Sequence, residues 1–140
     1  MPHPRDHLGL IAGGRFRIMQ EVRRPASVPP GTPHSYDDAC EPTGVYSFWF
    51  LCPGCQQGHK IDTAPDGGVS GRPIWSWNGD LDAPTFAPSL LVRWTEGEQH
   101  VARICHSFVQ GGRIQFLSDC SHALAGQTVD LPQLPDWLRS

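Results

Sequence analysis

Alternating apolar and polar side chains mark out a series of β-strands along this chain. Residues 16–22 alternate in this way, whereas residues 45–51 (VYSFWFL) are apolar on both faces, as is typical of a central strand. Further strands are indicated over residues 74–79, which end in an Asn-Gly turn, and over residues 89–94 (SLLVRW). The pattern predicts a mainly β fold, a small antiparallel sheet in a single domain with little helix.

Two segments lack such a pattern. Residues 1–14 show no clear period and are assigned no role in the fold, so a disordered terminus is the interpretation we adopt for them. Residues 25–42 are rich in proline, which removes backbone donors and fixes φ, and a long loop is expected there. The single domain is therefore predicted to span residues 15–140, a length that suits one modest core.

A hairpin is predicted within residues 103–126 (RICHSFVQGGRIQFLSDCSHALAG). Gly111-Gly112 suits a two-residue type I′ turn, because glycine accepts positive φ at both central positions. That register places Val109 opposite Ile114. It also puts Cys105 on the face of Cys120 and turns His106 to the opposite face. A three-residue loop would shift the register by one and exchange Cys105 for His106.

The cysteines point to a metal site. The chain has five, an odd number, and two of them form the CPGC of Cys52 and Cys55, which precedes the cysteine-bearing hairpin. In a reducing compartment this arrangement favours metal over disulfides, and four sulfur ligands suit structural Zn²⁺. The predicted ligands are Cys52, Cys55, Cys105 and Cys120, with Cys40 left over. His59, His106, His122 and Asp119 are the alternative ligands or supporting groups.

Catalysis is a second hypothesis. A zinc ion with one open position would lower the pKa of bound water, and Asp119 or His122 would be the nearby base of a zinc-dependent hydrolase. Ser107, Ser118 and His122 offer a hydrolytic set, but the chain has no nucleophile elbow and no HExxH or zinc-deaminase signature. No residue is therefore assigned a catalytic role from the sequence, and an enzyme is the less favoured reading.

Trp75 and Trp77 share one face of a short predicted strand, where they would either cover the sheet and shield the metal or form a binding surface for a base or sugar. The net charge of −3 gives no bulk attraction to nucleic acid or to anionic lipid, so a nucleic-acid-binding protein is an unfavoured alternative. No apolar run approaches the roughly 20 residues that span a bilayer, and the first residues lack a signal-peptide core. A soluble protein of the bacterial cytosol, without membrane partners, is expected.

Four stretches read together carry a family resemblance: FLCPGC, WSWNG, PTFAPSLLV and RICHSFVQGGRIQFLSDCSHALAGQTVDLP. Over residues 16–137 the chain resembles a family of small uncharacterised proteins of tailed bacteriophages and prophages. Many of these are labelled "ammonia monooxygenase", a label that these residues do not support. The resemblance implies conserved use of Cys52, Cys55, Cys105 and His106, which makes His106 a ligand or a functional residue.

These observations favour a non-catalytic, phage-derived β module with a structural zinc ion. Such a module is expected to act by binding a host or phage protein, for example as an inhibitor of host defence. A zinc-dependent hydrolase and a nucleic-acid-binding zinc protein are the alternatives.

Overall fold

A computed structural model describes residues 3–9, 11, 12, 14–25, 29, 31 and 40–139. Within them, the strands are β1 (Ile11–Ala12), β2 (Phe16–Arg23), β3 (Glu41–Cys52), β4 (Gln57–Thr63), β5 (Ser76–Trp77), β6 (Phe86–Ala87), β7 (Leu90–Glu96), β8 (Val101–Gln110), β9 (Arg113–Phe116) and β10 (Thr128–Asp130). A 3-10 turn at Pro4–His7 and a short helix α1 (Asp136–Arg139) complete the regular structure of these residues.

The strands lie in three antiparallel sheets. One sheet has the order β1-β2-β3-β4, a second has the order β10-β9-β8-β7, and β5 pairs with β6 in a third. In the described part of the chain, β7 is therefore the outermost strand of the second sheet.

One buried cluster joins the two larger sheets. The aromatic side chains of Phe16, Phe48 and Phe50 come from the first sheet, and the side chains of Ile114 and Phe116 come from the second. Each is at most 1% exposed. Burying a side chain of this size contributes about 1.5–3 kcal/mol of stability, so the two sheets are held together mainly by this core.

The predicted mainly β fold with little helix is confirmed, and its strands divide into three sheets where one sheet was expected. The apolar faces of two sheets bury each other, which a single small sheet cannot do. The predicted strand over residues 16–22 corresponds to β2, and those over residues 45–51 and 89–94 correspond to β3 and β7. The proline-rich loop lies mostly outside the described residues.

The predicted hairpin register is confirmed. β8 and β9 are joined through Gly111 and Gly112, whose φ values are 60° and 76°, and Val109 pairs with Ile114. As a result Cys105 is buried in the core and the neighbouring His106 is directed to the other face of the sheet. None of the described helices is long and apolar enough to cross a membrane.

Candidate functional site

Strand β8 presents two kinds of chemistry on its two faces. Cys105 is 1% exposed and faces the core, whereas the side chain of His106 is 25% exposed on the outer face. Successive residues of a strand point to opposite sides, so a single peptide bond connects a buried thiol to an accessible imidazole. The residues around His106 form one site and those around Cys105 form another.

The chain that follows β9 continues alongside β8 and brings Asp119 to His106. The backbone N–H of Leu117 donates to the carbonyl of His106 (2.9 Å), and that of Ser121 donates to the carbonyl of Ile104 (2.9 Å). Between these two hydrogen bonds the chain makes a turn, in which the Cys120 N–H donates to the Leu117 carbonyl (3.2 Å). Asp119 lies in this turn, with Oδ2 3.1 Å from Nδ1 of His106.

Ser89 reaches the other ring nitrogen of His106. It directly precedes β7, in which Leu90 pairs with Ser107 and Leu91 pairs with His106. The Oγ of Ser89 lies 3.0 Å from Nε2 of His106. The backbone of Ser89 is also held by Trp75, whose indole N–H donates to the Ser89 carbonyl at 3.2 Å.

The partners of His106 define its hydrogen bonding. A carboxylate only accepts, so Nδ1 carries the proton that it donates to Asp119. In the neutral ring Nε2 is then an acceptor, and the Ser89 hydroxyl donates to it. A serine, a histidine and an aspartate connected in this sense form the arrangement that activates a serine oxygen for attack on a carbonyl carbon.

On the core side of β8, four metal-ligating side chains converge. Cys52 and Cys55 lie at the β3–β4 turn, His59 is on β4 and Cys105 is on β8. Their ligand atoms all lie within 4.8 Å of one another. His59 is only 7% exposed, and its Nε2 is buried without a hydrogen-bond partner within the described residues. A buried imidazole nitrogen with no protein partner beside three thiols is what a bound cation would satisfy.

The electrostatics of the three thiols also favour a cation. The Sγ atoms of Cys52 and Cys105 are 3.8 Å apart, and the hydrogen bond from Cys105, followed by that from Cys55, lowers the pKa of Cys52. The same bond to Cys52 raises the pKa of Cys105. For Cys55, a hydrogen bond with Cys105 lowers the pKa, but its bond to Cys52, burial and nearby negative charge outweigh this and raise the pKa to about 12. One thiolate thus forms readily, and a metal ion would stabilise the other two.

A second group, Cys105, Cys120 and His122, adjoins the first. The backbone N–H of Leu124 donates to Nδ1 of His122 (3.2 Å), so in the neutral ring Nε2 carries the proton and is directed at the Cys105 sulfur, 3.6 Å away. The His122 ring covers the CPGC turn so closely that a Cβ at Gly54 would overlap it. His122 is thereby placed to steady a thiolate.

Cys120 is engaged with the backbone of His106. The His106 N–H donates to the Cys120 sulfur at 3.2 Å, and the thiol lies 3.1 Å from the His106 carbonyl oxygen. The four predicted sulfur ligands therefore do not all lie in one group. Cys52 and Cys55 are grouped with His59, Cys120 is grouped with His122, and Cys105 belongs to both groups. Cys40 is in neither group.

The hydrolytic set weighed from the sequence does not assemble. The Oγ of Ser107 is buried and has no hydrogen-bond partner among the described residues, while His122 is directed at a sulfur. Sequence reasoning singled out His106 as an alternative ligand or a functional residue and Asp119 as an alternative ligand or a base, and it missed Ser89. No local motif marks this serine, because only the β7–β8 register brings it to His106.

Trp75 and Trp77 are half-buried and pack against the core. They also line a cavity of about 610 Å³ together with His3, Asp66 and neighbouring residues. Nε2 of His3 lies 3.0 Å from a carboxylate oxygen of Asp66 at this cavity.

A family model described as "Bacterial ubiquitination-like system serine protease (BubE)" matches residues 22–117 of this chain. That description names neither a phage origin nor a metal, so both stay predictions. No curated protein and no solved structure matches the chain.

Proposed function

The chain belongs to the family of bacterial ubiquitination-like system serine proteases (BubE), and from this premise we propose that it is a serine protease whose catalytic residues are Ser89, His106 and Asp119. The observation that carries the proposal is the pair of contacts at His106, 3.0 Å from Nε2 to the serine Oγ and 3.1 Å from Nδ1 to the carboxylate. The family model ends at residue 117, so the aspartate is assigned by this geometry alone.

The proposed reaction is acyl transfer to water. Oγ of Ser89 attacks the carbonyl carbon of an amide bond while Nε2 of His106 takes the hydroxyl proton. When the C–N bond breaks, the imidazolium returns this proton to the leaving amine, and an ester to Ser89 remains. Water then attacks the ester with the same proton transfers, releasing the acid and the free serine. Asp119 accepts the Nδ1 hydrogen bond throughout and stabilises the imidazolium.

The site has the accessibility that this role requires. The His106 side chain is 25% exposed and that of Asp119 is 52% exposed, and Ser89 is half-buried. The substrate is proposed to be a protein of the bacterial ubiquitination-like system named in the family description. The protein partner expected from the sequence is then this substrate.

We further propose that the group Cys52, Cys55, His59 and Cys105 holds one structural zinc ion. Three sulfurs and one imidazole nitrogen are a common ligand set for zinc with no vacant position, and the buried Nε2 of His59 supports it. The ligands come from both large sheets. The ion would therefore tie the β3–β4 turn to β8, one residue away from His106.

The proposal is tested with a fluorophosphonate, a reagent that forms a covalent bond with an activated serine. We expect one label per chain, located on Ser89 by peptide mass spectrometry, and no label in Ser89→Ala. His106→Ala and Asp119→Asn are expected to slow labelling strongly. Replacing the aspartate of such a triad lowers the rate by about 10⁴-fold.

Ser107→Ala is the matched control, because Ser107 is adjacent to His106 in the chain but its Oγ is buried on the core side. Labelling at the wild-type rate is expected for this variant. A wild-type protein that stays unlabelled, or a label that persists in Ser89→Ala, would refute the assignment of the nucleophile.

A further inference from the structure

The edge of the sheet beside the proposed nucleophile is open in the described part of the chain. β7 pairs with β8 on one side, and none of the described strands pairs with it on the other. It begins at Leu90, immediately after Ser89, and runs away from the triad to Glu96. An open strand edge offers backbone donors and acceptors to an extended peptide, and here that edge starts at the reacting oxygen.

Two side chains of β7 on the catalytic face are exposed and available for contact with a substrate. Leu91 pairs with His106 and therefore shares its face, and it is 43% exposed. Arg93 lies two residues further along the same face, is exposed, and forms no ion pair with any described residue. By contrast, the neighbouring Arg103 is paired with Glu96 at 3.1 Å. The open edge thus carries one exposed apolar side chain and one unpaired positive charge.

Resting on the proposed protease function, we propose that the substrate binds as an added antiparallel strand along the open edge of β7. The sheet is antiparallel throughout, and in that orientation the residues preceding the scissile bond lie along β7. At about 3.3 Å per residue, an apolar substrate side chain about two residues before the scissile bond contacts Leu91. An acidic side chain about four residues before the bond pairs with Arg93.

The test uses tetrapeptide phosphonates, which label an activated serine only after their peptide part has bound. Each rate is divided by the rate for a small fluorophosphonate without a peptide. Wild-type protein is expected to react about fivefold faster with Glu than with Lys at the fourth position before the phosphonate, the size expected for exposed charges in attractive and repulsive pairing. Arg93→Glu is expected to reverse this preference, and Leu91→Ser to abolish the preference for Leu over Ser at the second position.

Arg24→Glu is the matched control, since it makes the same charge change on an exposed residue just past the end of β2, in the other large sheet. It is expected to keep the wild-type preference. The strand-addition proposal would be overturned by equal rates for Glu and Lys probes in the wild type, or by an unchanged preference in Arg93→Glu. In either case, labelling of Ser89 by the small reagent would leave the protease assignment standing. Absence of labelling by the small reagent would overturn the protease assignment itself.

Discussion

Removal of the proposed zinc ion is expected to lower the stability and the serine reactivity of this protein together. The ion would connect Cys52 on β3 to Cys105 on β8, closing a loop of about 50 residues, and restraining a loop of that length contributes about 4 kcal/mol through the unfolded state. For a chain of 140 residues a loss of this size lowers the melting temperature by about 10–15 °C. The buried aromatic core remains, so the metal-free protein is expected to fold at low temperature.

The assay begins with elemental analysis, in which one zinc equivalent per chain is expected. Thermal melting and fluorophosphonate labelling then follow before and after chelation. Because Cys105 directly precedes His106, loss of the ion is expected to loosen the histidine and slow labelling of Ser89. Cys52→Ser is expected to reproduce both effects, whereas Cys40→Ser, altered outside both Cys/His groups, is expected to keep its metal.

An unchanged melting temperature in protein shown to be free of metal would refute this reasoning. So would a Cys52→Ser variant that retains a full zinc equivalent, because the ligand set would then be different. Loss of metal from Cys40→Ser would likewise contradict the assignment.

Two further predictions concern histidine and a surface ion pair. His106→Ala is expected to retain a full zinc equivalent, because the His106 ring faces away from the thiols. His122→Ala is expected to retain zinc with about tenfold weaker affinity, because a hydrogen bond to the Cys105 sulfur is lost. Metal content after dialysis against a weak chelator measures both, and loss of zinc from His106→Ala would contradict the first prediction. The hydrogen bond from Arg72 at 2.9 Å is the main reason why the pKa of Glu21 is lowered from 4.5 in the folded protein. The ionised carboxylate therefore stabilises the fold above pH 4.5, and this contribution is lost as the pH falls through the lower folded-state pKa. Glu21→Gln is therefore expected to be less stable than wild type by about 1 kcal/mol at pH 7, with a difference that shrinks below pH 4.5 in urea titrations; a difference that stayed constant with pH would show that the charge is not responsible.

The strands of this protein could be predicted because their signals are local. Alternation and apolar runs located β2, β3 and β7, since side chains of a strand alternate between a buried and an exposed face. The hairpin register followed from Gly111 and Gly112 for a similar reason, as the turn itself demands positive φ. From that register alone came the opposite orientation of Cys105 and His106.

The composition of each site depends on which strands pair with each other, and no local sequence signal indicates this pairing. Cys52 and Cys55 were recognisable from their spacing, but His59 joins them only because β4 pairs with β3 and places its ring beside the thiols. Ser89 had no motif, and its meeting with His106 depends on long-range pairing between β7 and β8. Asp119 reaches the same ring through a turn that is anchored to β8 by backbone hydrogen bonds on either side of it. The sequence by itself thus determined the elements and the thiol chemistry, whereas the tertiary structure decided which side chains share a site, because sheet register between distant segments is set by the packing of the whole core.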